Sequence, residues 1–107
     1  MSALLQVNDE NFDAEVTKSP LPVMVDFYAT WCGPCKQLTP IVEQLAKDYT
    51  GKIKVVKLDI DEAPGVASAN GIMAVPTVIL YKGGQEQVKF TGFRPRPVLE
   101  AEIKKLI

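Results

Sequence analysis

The chain contains only two cysteines, and they lie three positions apart in the run Trp31-Cys32-Gly33-Pro34-Cys35. An apolar segment precedes this run and an amphipathic segment follows it, which predicts that the cysteines lie where a strand gives way to a helix. Two thiols at positions i and i+3 of a helix start are close to disulfide distance. Because closing so short a loop stabilises a fold by only about 2 kcal/mol, we interpret the pair as a disulfide that is made and broken.

The helix start also favours thiol chemistry. The positive end of the helix dipole and the unpaired backbone N–H groups stabilise a thiolate, which is the nucleophile in disulfide exchange. Cys32, at the helix tip, is therefore expected to attack a substrate disulfide, and Cys35, one turn inside and less exposed, is expected to resolve the mixed disulfide. Pro34 suits the first helical turn, and Gly33 lets a substrate backbone approach closely.

Two other interpretations of the cysteines stay open at this point. A structural zinc site needs four ligands, whereas the chain has two cysteines and no histidine, so a metal would require a second chain. Alternatively, the two cysteines are inert and buried, as cysteine often is.

Composition narrows the class of protein. The 107 residues suit one domain spanning residues 1–107, and twelve basic against thirteen acidic residues give no electrostatic footprint for nucleic acid or membrane. No apolar run approaches the ~18 residues of a transmembrane helix. Residues 1–6 have neither the basic nor the long apolar part of a secretory signal. We therefore expect a reducing compartment, either the cytoplasm or the stroma of an organelle that holds a processed chain.

Strands and helices are predicted to alternate in the order βαβαβαββα, which implies a mixed sheet covered by helices on both sides. A Gly-Gly pair is expected to form a hairpin turn between the last two strands, and the glycine after the last strand is expected to form a bulge. The predicted strands are Leu4–Val7, Val23–Ala29, Ile53–Ile60, Thr77–Tyr81 and Gln87–Thr91; the predicted helices run from Asn8 or Asp9 toward Lys18, over Gly33–Tyr49 with Pro40 inside, within Asp61–Asn70, and from Pro95 or Pro97 to the end, with Leu99, Ile103, Leu106 and Ile107 on one face.

The chain resembles the thioredoxin family over essentially its whole length. The resemblance implies an α/β thioredoxin fold, with a mixed five-stranded β-sheet flanked by four α-helices. It also implies a monomer without a bound cofactor that reduces protein disulfides and receives electrons from a thioredoxin reductase, NADPH- or ferredoxin-linked. Glutaredoxin-like and disulfide-isomerase-like proteins usually carry Tyr or His in or beside the cysteine motif, so they fit less well. The resemblance rests on Asp26-Phe27, Trp31 to Lys36, Pro40, Lys57, Val75-Pro76-Thr77, Gly84 and Gly92.

Two charged residues are candidates for proton transfer. Asp26 lies in an apolar strand, so burial should raise its pKa and let it take up or deliver a proton. Lys57 is either a surface lysine with a buried stem or, as the resemblance implies, the partner of Asp26. The resemblance further implies a cis peptide bond before Pro76, placed against the cysteines.

Sequence-tolerant binding of many substrates favours an apolar face with free backbone groups. At its rim, Arg94 and Arg96 are expected to affect encounter rates with acidic partners. Tyr28 stands where many family members have a second tryptophan. A redox-inactive binding subunit or folding helper that uses the same surface is the alternative function. The expected face consists of Trp31, Gly33, Pro34, Met73, Ala74, Val75, Pro76, Gly92 and Phe93.

Overall fold

The computed structural model describes residues 4–107, in which five strands form one mixed sheet. The strand order is β1-β3-β2-β4-β5, so β2 is central. β1, β3 and β2 run parallel, whereas β4 pairs antiparallel with β2 and β5 antiparallel with β4. The mixed five-stranded sheet predicted from the sequence is confirmed. The strands are β1 (Leu5–Val7), β2 (Val23–Tyr28), β3 (Lys54–Asp59), β4 (Thr77–Lys82) and β5 (Gln85–Thr91).

Helices cover both faces of the sheet. α1 (Gly33–Asp48) and α3 (Arg96–Lys104) pack on one face, and α2 (Pro64–Ala69) packs with a short π-helix (Asp13–Thr17) on the other. The apolar stripe of α1, which recurs every three or four residues, meets the core at Leu38, Val42 and Leu45, all fully buried.

The first of the four expected helices is therefore not an α-helix. The N–H group of Lys18 donates to the carbonyl of Asp13, five residues back, as in a π turn. Over so short a segment, with only Val16 fully buried, the apolar pattern cannot distinguish the two kinds of helix. The Asn8 side chain still fixes the turn before it, accepting from the N–H groups of Glu10 and Asn11. Leu4, predicted in β1, precedes the strand.

Two predictions in the last hairpin have different outcomes. Gly83 and Gly84 form the turn with φ of 61° and 78°, as the paired positive φ values of a tight hairpin require. A Cβ atom at Gly84 would also lie only 2.8 Å from the backbone oxygen of Thr17. The bulge expected at Gly92 is wrong: the register shift lies between Leu80 and Tyr81.

The ends of the helices also differ in detail from the sequence prediction. The carboxylate of Asp9, expected near the first helix, instead accepts hydrogen bonds from the N–H groups of Gly65 and Val66 at the start of α2. At the other end of the chain, Ile107 is about half exposed rather than packed on the apolar face of α3. Among the described residues, no helix is both long and apolar enough to cross a membrane.

Candidate active site

The two cysteines lie at the carboxyl end of the central strand, where the chain enters α1. Cys32 is the N-cap residue of α1, with extended backbone angles, and its sulfur accepts a hydrogen bond from the N–H group of Cys35 at 3.2 Å. The two residues form a disulfide with their Cα atoms 5.3 Å apart. Pro34 occupies the first turn of the helix, where its missing N–H group costs nothing. The backbone thus presents a donor to the Cys32 sulfur, the interaction that stabilises a thiolate.

Exposure distinguishes the two sulfur-bearing residues less than the sequence indicates. Cys32 is 5% exposed and Cys35 is 3% exposed, so both are buried in the disulfide form. The residues around Cys32 are open, because Trp31, Gly33 and Pro34 are all exposed. The two cysteines differ more clearly in their position on the helix than in their exposed fractions: Cys32 lies at the tip and Cys35 in the first turn.

A loop from the opposite side of the site packs against the disulfide. Val75 contacts the small apolar cluster that contains Cys32 and Cys35. The Val75–Pro76 peptide bond is cis, as expected. Gly92, with φ of 95°, donates its N–H group to the carbonyl of Pro76 at 2.7 Å and so joins the end of β5 to this loop.

The other residues expected on the apolar face lie at the surface. Trp31 is 68% exposed, Met73 is 96% exposed and Phe93 is 39% exposed. Ala74 is exposed as well, and its carbonyl accepts from the hydroxyl of Thr77 at 2.7 Å. These large apolar side chains therefore lie outside the core, where a partner can contact them.

The indole of Trp31 is oriented by an acidic residue that the sequence analysis missed. Its N–H group donates to a carboxylate oxygen of Asp61 at 2.9 Å, and the backbone N–H of Asp61 donates to Asp59. β3 runs parallel to β2, so their carboxyl ends meet at one edge of the sheet. The acidic residues that follow β3 in the sequence could have indicated a partner for Trp31.

Asp26 lies in the central strand β2, two residues before Tyr28, which packs against the cluster that contains the disulfide. It is 3% exposed, and its Oδ1 atom has no hydrogen-bond partner within residues 4–107. Burial raises the pKa of Asp26 from 3.8 to about 7, and the nearby charge of Lys57 opposes this rise. A carboxyl group with a pKa near neutrality can both accept and release a proton under physiological conditions.

Lys57 lies opposite Asp26 in the parallel pairing of β2 and β3. Both line a cavity of about 60 Å³, together with Tyr28, Thr39 and Leu4. This volume exceeds what one water molecule requires. Lys57 forms no ion pair in the described part of the chain; its ammonium lies 5.8 Å from the centre of the Tyr28 ring.

The two arginines expected at the rim have partners within the chain. Arg96 forms ion pairs with Asp48 and Glu100. Arg94 donates to the backbone carbonyls of Thr91 and Phe93. Arg96 therefore ties α3 to the last residue of α1, at the opposite end of that helix from the cysteines, so the expectation that it lies at the rim of the face is wrong; Arg94 bonds to the backbone just before it.

A disulfide at a helix start, beside a cis-proline loop and after a strand that carries a buried carboxyl group, is the arrangement of a thiol–disulfide oxidoreductase. The family model described as Thioredoxin matches residues 3–105, and the chain belongs to the thioredoxin family. It is 48% identical over 105 residues to Thioredoxin 1 of Nostoc sp., covering 98% of each chain. It is 45% identical over 107 residues to Thioredoxin of Synechocystis sp., covering 100% of each chain.

A plant relative is longer than this chain. Thioredoxin M-type, chloroplastic, of Spinacia oleracea is 46% identical over 101 residues, which are 94% of this chain and 56% of the relative. Family membership, together with the Cys32–Cys35 disulfide, makes the protein a thiol–disulfide reductase that acts on disulfide-containing substrates.

Proposed function

We propose that Cys32 and Cys35 reduce partner proteins in two exchange steps. The Cys32 thiolate attacks one sulfur of the substrate disulfide, forms a mixed disulfide and releases the other substrate sulfur as a thiolate. Cys35, as a thiolate, then attacks the Cys32 sulfur and releases the second substrate thiolate. Two electrons pass to the substrate, and the Cys32–Cys35 disulfide is formed. The main support is the N–H group of Cys35 that donates to the Cys32 sulfur at the helix start.

Proton transfer in the second step is assigned to Asp26. Cys35 must lose its proton before it can attack, and the ionised Asp26 carboxylate accepts that proton through water in the adjoining cavity. Lys57, which lines the same cavity, favours the ionised form of Asp26. The burial of Asp26 and its pKa near neutrality support this role.

The substrate is proposed to bind as an extended segment across the apolar surface around the disulfide, in which Val75 and Gly92 are half-buried and Pro76 is buried. Backbone groups of the loop before Pro76 would pair with it in the manner of a β-strand, and the exposed apolar side chains would contact its neighbours. This mode tolerates many sequences, as a general reductase requires. The proposed face comprises Trp31, Gly33, Pro34, Met73, Ala74, Val75, Pro76, Gly92 and Phe93.

The first experiment measures reduction of insulin disulfides by dithiothreitol. The protein should accelerate the reaction, and Cys32→Ser should abolish the acceleration because the attacking thiol is lost. Cys35→Ser should instead form a stable mixed disulfide with substrate proteins, since no thiol remains to resolve it. No acceleration by the unchanged protein would favour a redox-inactive binding role. Capture by Cys32→Ser but not by Cys35→Ser would reverse the two assignments.

The electron donor is proposed to be a thioredoxin reductase. Turnover should be measured with an NADPH-dependent flavin reductase and, in parallel, with a ferredoxin-linked reductase. One of the two should sustain repeated reduction of the Cys32–Cys35 disulfide, and failure of both would refute this partner class. We place the protein in the cytoplasm or an organelle stroma; a relative named as chloroplastic supports the second alternative.

A further inference from the structure

Four polar residues lie side by side on the sheet face that α1 covers. Side chains alternate along a strand, so Asp26 and Tyr28 of β2 point to the same face. In the parallel pairing of β2 and β3, Asp26 lies opposite Lys57 and Tyr28 lies opposite Asp59. The Lys57 ammonium can therefore reach either the Asp26 carboxyl group or the Tyr28 ring.

The Lys57 ammonium lies beside the Tyr28 ring rather than beside the Asp26 carboxyl group. Its ammonium lies 5.8 Å from the ring centre of Tyr28, within the range of a cation–π contact. Asp26, although directly opposite, forms no ion pair with it, and the Oδ1 atom of Asp26 lacks a partner among residues 4–107. An ammonium so close to a buried carboxyl group would normally pair with it, because an unpaired buried polar atom is costly.

Tyr28 is close to polar side chains of β1 and of the loop after β3. The Gln6 side chain interacts with the Tyr28 hydroxyl, and the Gln6 amide donates to Glu62 at 3.2 Å. The ring is half-buried and lines the same cavity as Asp26 and Lys57. Partial burial and the carboxylates around it raise the pKa of Tyr28, so the ring stays neutral.

We propose that Tyr28 is a positioning residue: its ring holds the Lys57 ammonium away from Asp26, which leaves the carboxyl group able to carry a proton. The inference deepens the proposed function, since it rests on Asp26 as the proton carrier. Substituting the ring by an aliphatic side chain would release the ammonium toward the carboxyl group. An opposite charge at close range favours the ionised form and lowers a carboxyl pKa.

Few charged groups lie near Asp26 and Tyr28, so a change in the pKa of Asp26 can be attributed to one of them. β3 contributes Lys57 and Asp59, and the loop after β3 contributes Glu62, whose charge acts on Tyr28. α1 contributes the uncharged Thr39 to the lining. Of these, Lys57 is the group whose charge lowers the pKa of Asp26.

The test is a carboxyl titration of Asp26 by nuclear magnetic resonance, in the oxidised protein labelled with ¹³C-aspartate. Tyr28→Leu should lower the pKa of Asp26 by about 1 unit or more, the range for a newly adjacent opposite charge. Tyr28→Phe is the matched control: it keeps the ring, so the pKa of Asp26 should move by at most a few tenths of a unit. Tyr28→Ile replaces the leucine variant if the latter does not fold.

The same substitution in a protein that lacks the Lys57 ammonium distinguishes two causes of a lower Asp26 pKa: release of the ammonium and entry of water. If Lys57 causes the change, Tyr28→Leu introduced into Lys57→Gln should leave the pKa of Asp26 where Lys57→Gln alone puts it. An equal decrease in that background would show that solvation, not Lys57, is responsible and would overturn the proposal. An unchanged pKa of Asp26 in Tyr28→Leu itself would overturn it equally.

The rate of mixed-disulfide resolution gives an independent measurement. If the proposed role of Asp26 holds, the pH midpoint of this rate should move with the titration midpoint in every variant. A titration that responds to Tyr28 while the rate does not would refute Asp26 as the proton carrier, yet leave the positioning of Lys57 intact.

Discussion

Replacing Asp26 by Asn should change how the stability of the oxidised protein depends on pH. The native carboxyl group has a pKa of about 7 against 3.8 for an ordinary aspartate. Between these values the unfolded chain has lost its proton and the native chain has kept it, so a rise in pH favours unfolding. Stability from this group is therefore fully present below pH 3.8 and is lost as the pH rises toward 7.

The size of the effect follows from the two pKa values. A rise from 3.8 to about 7 corresponds to about 4 kcal/mol, lost in full above pH 7. Between pH 4.5 and pH 8.5 the loss amounts to about 3 kcal/mol, because part of it has already occurred at the lower pH. Asn cannot ionise. The free energy of unfolding of Asp26→Asn, relative to that of the unchanged protein, should therefore rise by about that amount between pH 4.5 and pH 8.5.

The assay is urea denaturation of both oxidised proteins at several pH values from 4.5 to 8.5. Asp26→Leu serves as a control because it also removes the carboxyl group but leaves no polar atom to bury. The two variants should differ from each other by a constant, while both show the same pH-dependent gain on the unchanged protein. If the difference between Asp26→Asn and the unchanged protein stays flat over this range, the reasoning from burial is wrong.

Two further outcomes concern the binding face and the hairpin. In the Cys35→Ser background, Phe93→Ala should reduce capture of substrate proteins, whereas Val98→Ala, which removes an equally exposed apolar side chain outside the proposed face, should not; equal capture by both would exclude Phe93 from the face. Gly84→Ala should lower the free energy of unfolding by about 1–3 kcal/mol more than Gly83→Ala. Both glycines have positive φ, but only at Gly84 would a Cβ atom clash with backbone. Equal losses of stability in urea denaturation would contradict this.

The sequence predicts the framework of the site well because strong local patterns specify it. The apolar run of β2 predicts a strand buried on both faces, and the stripe of Leu38, Val42 and Leu45 predicts the buried side of α1. The Gly83-Gly84 pair predicts the hairpin turn. The cis bond at Pro76, in contrast, was available only from the family resemblance, since the local sequence leaves both isomers open.

What the sequence does not predict is mostly the choice of partner by a charged side chain. On the sequence pattern alone, Arg96 could form ion pairs equally well with acidic partner proteins or with Asp48 and Glu100. The packing of α3 near the end of α1 selects Asp48 and Glu100. Lys57 likewise has an aspartate and an aromatic ring within reach, and only the three-dimensional arrangement shows which one it contacts. Such choices depend on a few ångströms between elements that are distant in sequence.

The anchored indole beside the disulfide has a practical consequence for spectroscopy. Trp31 is the only tryptophan of the chain, it precedes Cys32, and Asp61 holds its ring in one orientation. Excited at wavelengths that the three tyrosines do not absorb, the protein therefore emits from a single site adjacent to the sulfur atoms. Opening of the disulfide changes the immediate surroundings of this one fluorophore. The protein thus carries an intrinsic optical probe, and the kinetics of its own oxidation and reduction can be recorded without a label.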